Sequence, residues 1–185
     1  MQAQPLSSAI SPVPPVEGLH HFAWRCKDAE TTRHFYEDIL GLPLVHVIKN
    51  DYVPSTREFC PYVHIFFRMH DGSHIAFFDL GDDVAAEPSP NTPEWVNHIA
   101  LRVADRQDLA RMKQRLEHYG IDVLGVIDHD GYIESIYFFD PNNFRLEFTT
   151  ELASPKTIEA YARKAHSELV QWTMEKASRR QKGLA

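Results

Sequence analysis

Two histidines, His21 and His98, open matching stretches: His-Phe-Ala-Trp-Arg-Cys-Lys-Asp at 21–28 and His-Ile-Ala-Leu-Arg-Val-Ala-Asp at 98–105. A carboxylate, Glu147, stands between Leu146 and Phe148 in the stretch SIYFFDPNNFRLEF at 135–148. A charge flanked by apolar residues in a strand is costly unless it meets a group that needs it. Two imidazoles and one carboxylate with open positions form the facial set typical of mononuclear non-haem Fe(II). The chain has eleven histidines in 185 residues, so position has to select among them. Any one histidine alone would be read as a polar strand residue. The match at repeat-equivalent positions is what singles out His21 and His98.

The elements that must position these groups come twice. Each histidine stretch has strand character and ends on an Asp able to N-cap a helix, Asp28 and Asp105. Residues 29–41 place Phe35, Tyr36, Ile39 and Leu40 on one helical stripe that stops at Gly41. Residues 106–120 place Leu109, Met112, Leu116 and Tyr119 on another that stops at Gly120. Three strand-like segments follow each helix: 43–49, 62–69 and 73–80 in the first half, 121–128, 134–140 and 144–150 in the second. His70-Asp71-Gly72 and Pro141-Asn142-Asn143 are the turns before the last strands. The pattern predicts an α+β fold of two paired βαβββ modules, 17–81 and 96–151, joined by a linker at 82–95. A flexible Pro-rich tail is expected over 1–16. Over 152–185 a C-terminal helix is expected, capped by Ser154-Pro155 and packing on the sheet or on a second subunit.

Strand side chains alternate, so residues i and i+2 share a face. His21, Ala23 and Arg25 share one face in the first half, and His98, Ala100 and Arg102 share one in the second. Arg145, Glu147 and Thr149 share a face too, opposite Phe144, Leu146 and Phe148. The apolar faces belong under the helices. The polar faces are expected to look into the concavity of the sheets, where a pseudo-twofold pairing would bring His21, His98 and Glu147 together. The same alternation turns His20 away. His34, His46, His64, His118 and His166 join no such constellation.

The bulk numbers exclude several classes. With Lys plus Arg at 19 and Asp plus Glu at 26, the formal charge is -7, and nucleic acid is not an expected partner. No apolar run is long enough to span a membrane, and the first residues lack the pattern of a secretory signal. The two cysteines, Cys26 and Cys60, read as free thiols of a reducing cytoplasm.

This repeat, with its His and Glu positions, resembles the vicinal oxygen chelate superfamily over about residues 17–150. That superfamily includes glyoxalase I, epimerases, fosfomycin-modifying thiol transferases, bleomycin-sequestering proteins and type I extradiol ring-cleaving dioxygenases. The resemblance implies a U-shaped, metal-binding cleft. It also implies that Ala76 stands where glyoxalase-like and epimerase-like members carry a fourth ligand. Three ligands are the pattern of the dioxygenases and the thiol transferases. The dioxygenases share a signature here met by His129, Ile136, Tyr137, Asp140, Pro141 and Glu147, except that Asn143 replaces the turn glycine. Asn tolerates the left-handed conformation better than other non-Gly residues.

By this resemblance the metal ligands are His21, His98 and Glu147, and the metal is Fe(II), with Mn(II) or another divalent ion as the alternative. His74 is the candidate acid/base, with His70 as rival. His129 and Tyr137 are the candidates to hydrogen-bond substrate oxygens. The implied reaction inserts O2 into a catecholic or related aromatic in a cytoplasmic homodimer. The alternatives are a metal-dependent thiol transferase or a glyoxalase/epimerase-like lyase or isomerase, and a non-catalytic small-molecule binding protein.

Overall fold

The computed structural model describes residues 14–87 and 89–182. Of the tail expected over 1–16, residues 1–13 lie outside the described residues, as do 183–185. The chain divides into two compact units, Met1–Ala86 and Glu87–Ala185.

Unit 1 begins with strand β1 (His21–Arg25) and a helix that is α-helical over Ala29–Arg33 and π-helical over His34–Ile39, here called α1. Strands β2 (Leu44–Tyr52), β3 (Phe59–Arg68) and β4 (His74–Asp79) follow. They form one sheet in the order β1-β4-β3-β2, with β1 parallel to β4 and the other pairs antiparallel. Asp28 caps α1 as expected: its carboxylate accepts the Thr31 N–H at 2.7 Å. The widened turn departs from the regular helix the periodicity predicts. It accommodates Arg33, which donates to Glu37 at i+4 and to Asp38 at i+5. The expected stripe is buried all the same, and Tyr36 lies fully buried against Phe67 and Phe77, ring centroids 5.3 and 4.8 Å away. β2 and β3 are longer than predicted because Tyr52 still pairs with Phe59 at the end of the hairpin.

Unit 2 repeats the plan with β5 (Ile99–Arg102), α2 (Arg106–His118), β6 (Leu124–Asp128), β7 (Ile133–Phe139) and β8 (Arg145–Glu151), in the sheet order β5-β8-β7-β6. Asp105 caps α2 through the Asp108 N–H at 2.9 Å. Leu109 and Leu116 are buried, whereas Tyr119, expected on the same stripe, lies at the C-cap and is exposed. β6 starts later than predicted because the Ile121 N–H is still bonded to the Leu116 carbonyl.

The turn before β8 forms as expected. Asn143 takes φ +60°, the left-handed conformation a glycine would otherwise supply. Buried Asp140 holds the turn: its carboxylate accepts the N–H groups of Asn142 and Phe144, each at 2.8 Å. Helix α3 (Pro155–Gln181) is capped by Ser154, with Pro155 in its first turn. Only its start packs, with Tyr161 edge-on to Tyr132 at 5.7 Å, and residues 161–177 are exposed. The expected packing of this helix on its own sheet therefore ends after the first two turns. Among the described residues no helix is long and apolar enough to cross a membrane.

Candidate functional site

Register decides which side chains share a face. In unit 1, His21 pairs with His74, Ala23 with Ala76 and Arg25 with Phe78; Phe78 then pairs with His64, and Ala76 with Phe66. Directly paired residues point the same way. The face opposite α1 therefore carries His21, His74, His64, Phe66, Phe78 and, from β2, His46. Phe66 is the hub: the rings of His21, His46, His64 and His74 lie 5.5, 5.5, 4.1 and 6.1 Å from it.

Three histidines set aside by the sequence reading, His46, His64 and His20, lie in this cluster. His64 is buried, stacks on Phe78 at 3.6 Å, and has its Nε2 without a partner. Burial drives its pKa down to about 4, helped by the charges of His21 and His46, so it is neutral near pH 7. The signal was there, because His64 and Phe66 are two apart on one strand and share a face. His20 precedes β1, so alternation does not govern it. Its Nδ1 lies 2.7 Å from that of His21, and its carbonyl accepts the His74 N–H at 3.0 Å and the His74 Nδ1–H at 3.1 Å. That bond puts the His74 proton on Nδ1 and leaves Nε2 with its lone pair. His70, the rival acid/base, lies in the turn after β3 and lines a depression of about 420 Å³ with Gly41, Pro43 and Arg68.

In unit 2, Ala100 pairs with Glu147 and Glu147 with Tyr137, while Arg102 pairs with Thr149 and Thr149 with Ser135. Glu147 is only 3 % exposed, and no Lys or Arg among the described residues lies within ion-pair distance of it. It is held instead by neighbours. The Ser135 hydroxyl donates to Oε1, and Oε2 lies 2.9 Å from His98 Nε2. Ser135 lies 3.0 Å from Thr149 Oγ1, which donates to the Glu134 carbonyl. Tyr137 Oη and His129 Nε2 are 2.9 Å apart, a hydrogen bond in which either can donate. Burial raises the Tyr137 pKa, and the Glu147 charge raises it further, so the phenol keeps its proton. The structure thus brings together His98, Glu147, Tyr137 and His129 in unit 2, and His21 and His74 in unit 1.

These residues fit a divalent cation on their own chemistry. His98 Nδ1 donates to the Val96 carbonyl at 3.0 Å, so Nε2 is the ring nitrogen turned to Glu147 and, in the neutral form, the one with the lone pair. A lone pair facing a carboxylate is repulsive unless a proton or a cation lies between them. His98 Nε2 and Glu147 Oε2 stand 2.9 Å apart, near enough to share one proton or one cation. Among the described residues no group of three or more His, Cys, Asp or Glu side chains could hold a metal ion as it stands. The preformed element is the pair His98–Glu147.

Comparison with known proteins places the chain by family. Residues 18–148 match the model of the Glyoxalase/Bleomycin resistance protein/Dioxygenase superfamily. The chain belongs to that superfamily. A curated relative is MhqA of Bacillus subtilis (strain 168), which bears the name of a ring-cleaving dioxygenase. It is 28% identical over 130 residues, 63% of this chain but only 38% of the relative. Among solved structures, the fosfomycin resistance protein FosX of Listeria monocytogenes, complexed with Mn(II), matches at TM-score 0.54 and 20% identity. The match covers 77% of this chain and 97% of that one. Lactoylglutathione lyase of Agrobacterium tumefaciens matches at TM-score 0.52 and 20% identity, over 74% and 96%. At these identities the likeness is one of fold alone.

Proposed function

We propose that this chain is an Fe(II)-dependent extradiol dioxygenase that inserts O2 into a catecholic aromatic, with His21, His98 and Glu147 as the metal ligands. The observation that carries the reading is the arrangement on the open face of unit 2. An imidazole nitrogen and a caged carboxylate stand 2.9 Å apart, beside a Tyr137–His129 hydrogen bond. The relation to MhqA supports it, though the chain spans 38% of that protein. The left-handed Asn143 supports it too, since it keeps the turn that the dioxygenase signature needs.

The metal, once bound, supplies redox chemistry and exchangeable positions for the two catechol oxygens and O2. The chain's own groups supply the rest. Tyr137 donates its retained proton to an oxygen of the substrate and is steadied by His129. His74 takes the catechol proton on Nε2, because its Nδ1–H is committed to the His20 carbonyl. Ala76, fully buried where a second carboxylate would sit, leaves the ligand count at three. The setting this reading implies is a cytoplasmic homodimer, in which exposed Leu169, Val170, Trp172 and Met174 of α3 meet a second copy.

A second reading shares the three-ligand set: a metal-dependent thiol transferase of the same superfamily. The test loads anaerobically purified protein with Fe(II) and monitors a catechol panel for yellow ring-cleavage products. Activity lost in air and restored by Fe(II) with a reductant is the expected result. Silence on every catechol, with Mn(II)-dependent addition of a thiol to an epoxide, would favour the transferase.

A further inference from the structure

Arg145 lies on the same face as Glu147, two residues earlier on β8, and the chemistry above leaves it unused. Arg25, Arg33, Arg106, Arg111 and Arg163 each meet a carboxylate. Arg145 has none within ion-pair distance among the described residues, and its half-buried side chain carries a buried Nε without a partner. Its cross-strand neighbour is Phe139. Glu147 forms no ion pair with it; the oxygens of that carboxylate meet Ser135 and His98. The guanidinium carbon sits 4.5 Å from the centre of the Tyr137 ring, so the cation is held against the phenol that bonds His129. A half-buried guanidinium whose Nε has no partner is costly unless an anion joins it.

The repeat points the same way. His74 stands opposite His21 in unit 1. One step before the pair Ile99–Leu146, the same register sets Arg145 opposite His98. Arg145 therefore occupies in unit 2 the place His74 holds in unit 1.

We propose that Arg145 binds a carboxylate substituent on the aromatic substrate, so that the substrate class is a catechol carboxylate and not an uncharged catechol. A planar guanidinium matches a carboxylate with two parallel hydrogen bonds, which an aldehyde of the same size does not reproduce. The inference rests on the ring-cleavage reading for its catechol, but its binding test does not need turnover.

The test uses the full-length, Fe(II)-loaded chain without O2 and compares binding of protocatechuate with that of protocatechualdehyde by calorimetric titration. The wild type should bind the acid about tenfold or more tightly than the aldehyde, the worth of a charge-assisted hydrogen bond. Arg145→Gln should bring that ratio close to one, and Arg145→Lys should keep part of it. Thermal melts establish that each variant is folded, and the Lys variant decides if the Gln variant is not. Equal binding of acid and aldehyde by the wild type, an unchanged ratio in the Gln variant, or no binding of either probe would overturn the assignment. If the acid binds through Arg145 but neither compound is cleaved when O2 is admitted, the dioxygenase reading fails and the assignment stands.

Discussion

The two sheets share one register and carry different chemistry. Ala23 faces Ala76 in unit 1, where Ala100 faces Glu147 in unit 2. In the next strand Phe66 stands opposite Ala76, and Tyr137 opposite Glu147. One step on, His64 stacks on Phe78 in unit 1, while Ser135 bonds Thr149 in unit 2. Unit 1 has become an aromatic surface that keeps a buried histidine neutral. Unit 2 has become a polar cage around a buried carboxylate. The helix-side positions are apolar in both, with Phe67 and Phe77 in one unit and Phe138 and Phe148 in the other. The fold is held from one face, which frees the other for chemistry, and a duplicated frame can diverge there without losing its core.

The largest expected effect breaks that contrast at its centre. Glu147→Ala should cost metal affinity more than roughly 100-fold, beyond the range of groups that merely support a ligand. It leaves Ser135 and His98 facing an empty place, and metal content after dialysis measures it. Next come the shared cores. Phe77→Ala and Phe138→Ala should each destabilise the protein by about 3–5 kcal/mol in urea unfolding. A much smaller cost in one unit would show that the two cores are not equivalent. Ser135→Ala should weaken metal binding roughly 10- to 100-fold, because it removes the hydrogen bond that orients Glu147. An unchanged affinity would reduce Ser135 to packing.

The smallest effect lies at Cys26, whose counterpart in unit 2 is Val103. Burial pushes the Cys26 thiol from 9.0 up to about 11. The folded chain keeps this proton where the unfolded chain has lost it, so the folded state binds more protons between those values. Stability is then whole below pH 9 and falls as pH rises toward 11. Cys26→Val should flatten that decline in urea midpoints taken across the window. A decline of the same slope in the variant would assign it to other groups.

Much of this was legible in the residues. Asp28, Asp105 and Ser154 announce their helices because a cap is a local hydrogen bond. Alternation placed Glu147 on the polar face of its strand, and the resemblance singled out Tyr137, which pairs directly with it. Asn143 was readable as a left-handed turn residue for its own steric reasons. Alternation failed for His20, which lies outside the strand. It was not applied to His64, although its spacing from Phe66 on β3 puts the two on one face; its stacking on Phe78 shows only once β3 is set against β4. Ser135 and Arg145 were silent as well, since a supporting hydrogen bond and an unpaired cation are facts of neighbours across strands and leave no mark in spacing.

The most direct test of the account is a crystal of the metal-loaded protein measured at the absorption edge of the bound metal. The account predicts one anomalous peak within about 2.0–2.3 Å of His21, His98 and Glu147 together. A peak held by His98 and Glu147 without His21, or one that includes a fourth protein ligand, would contradict it.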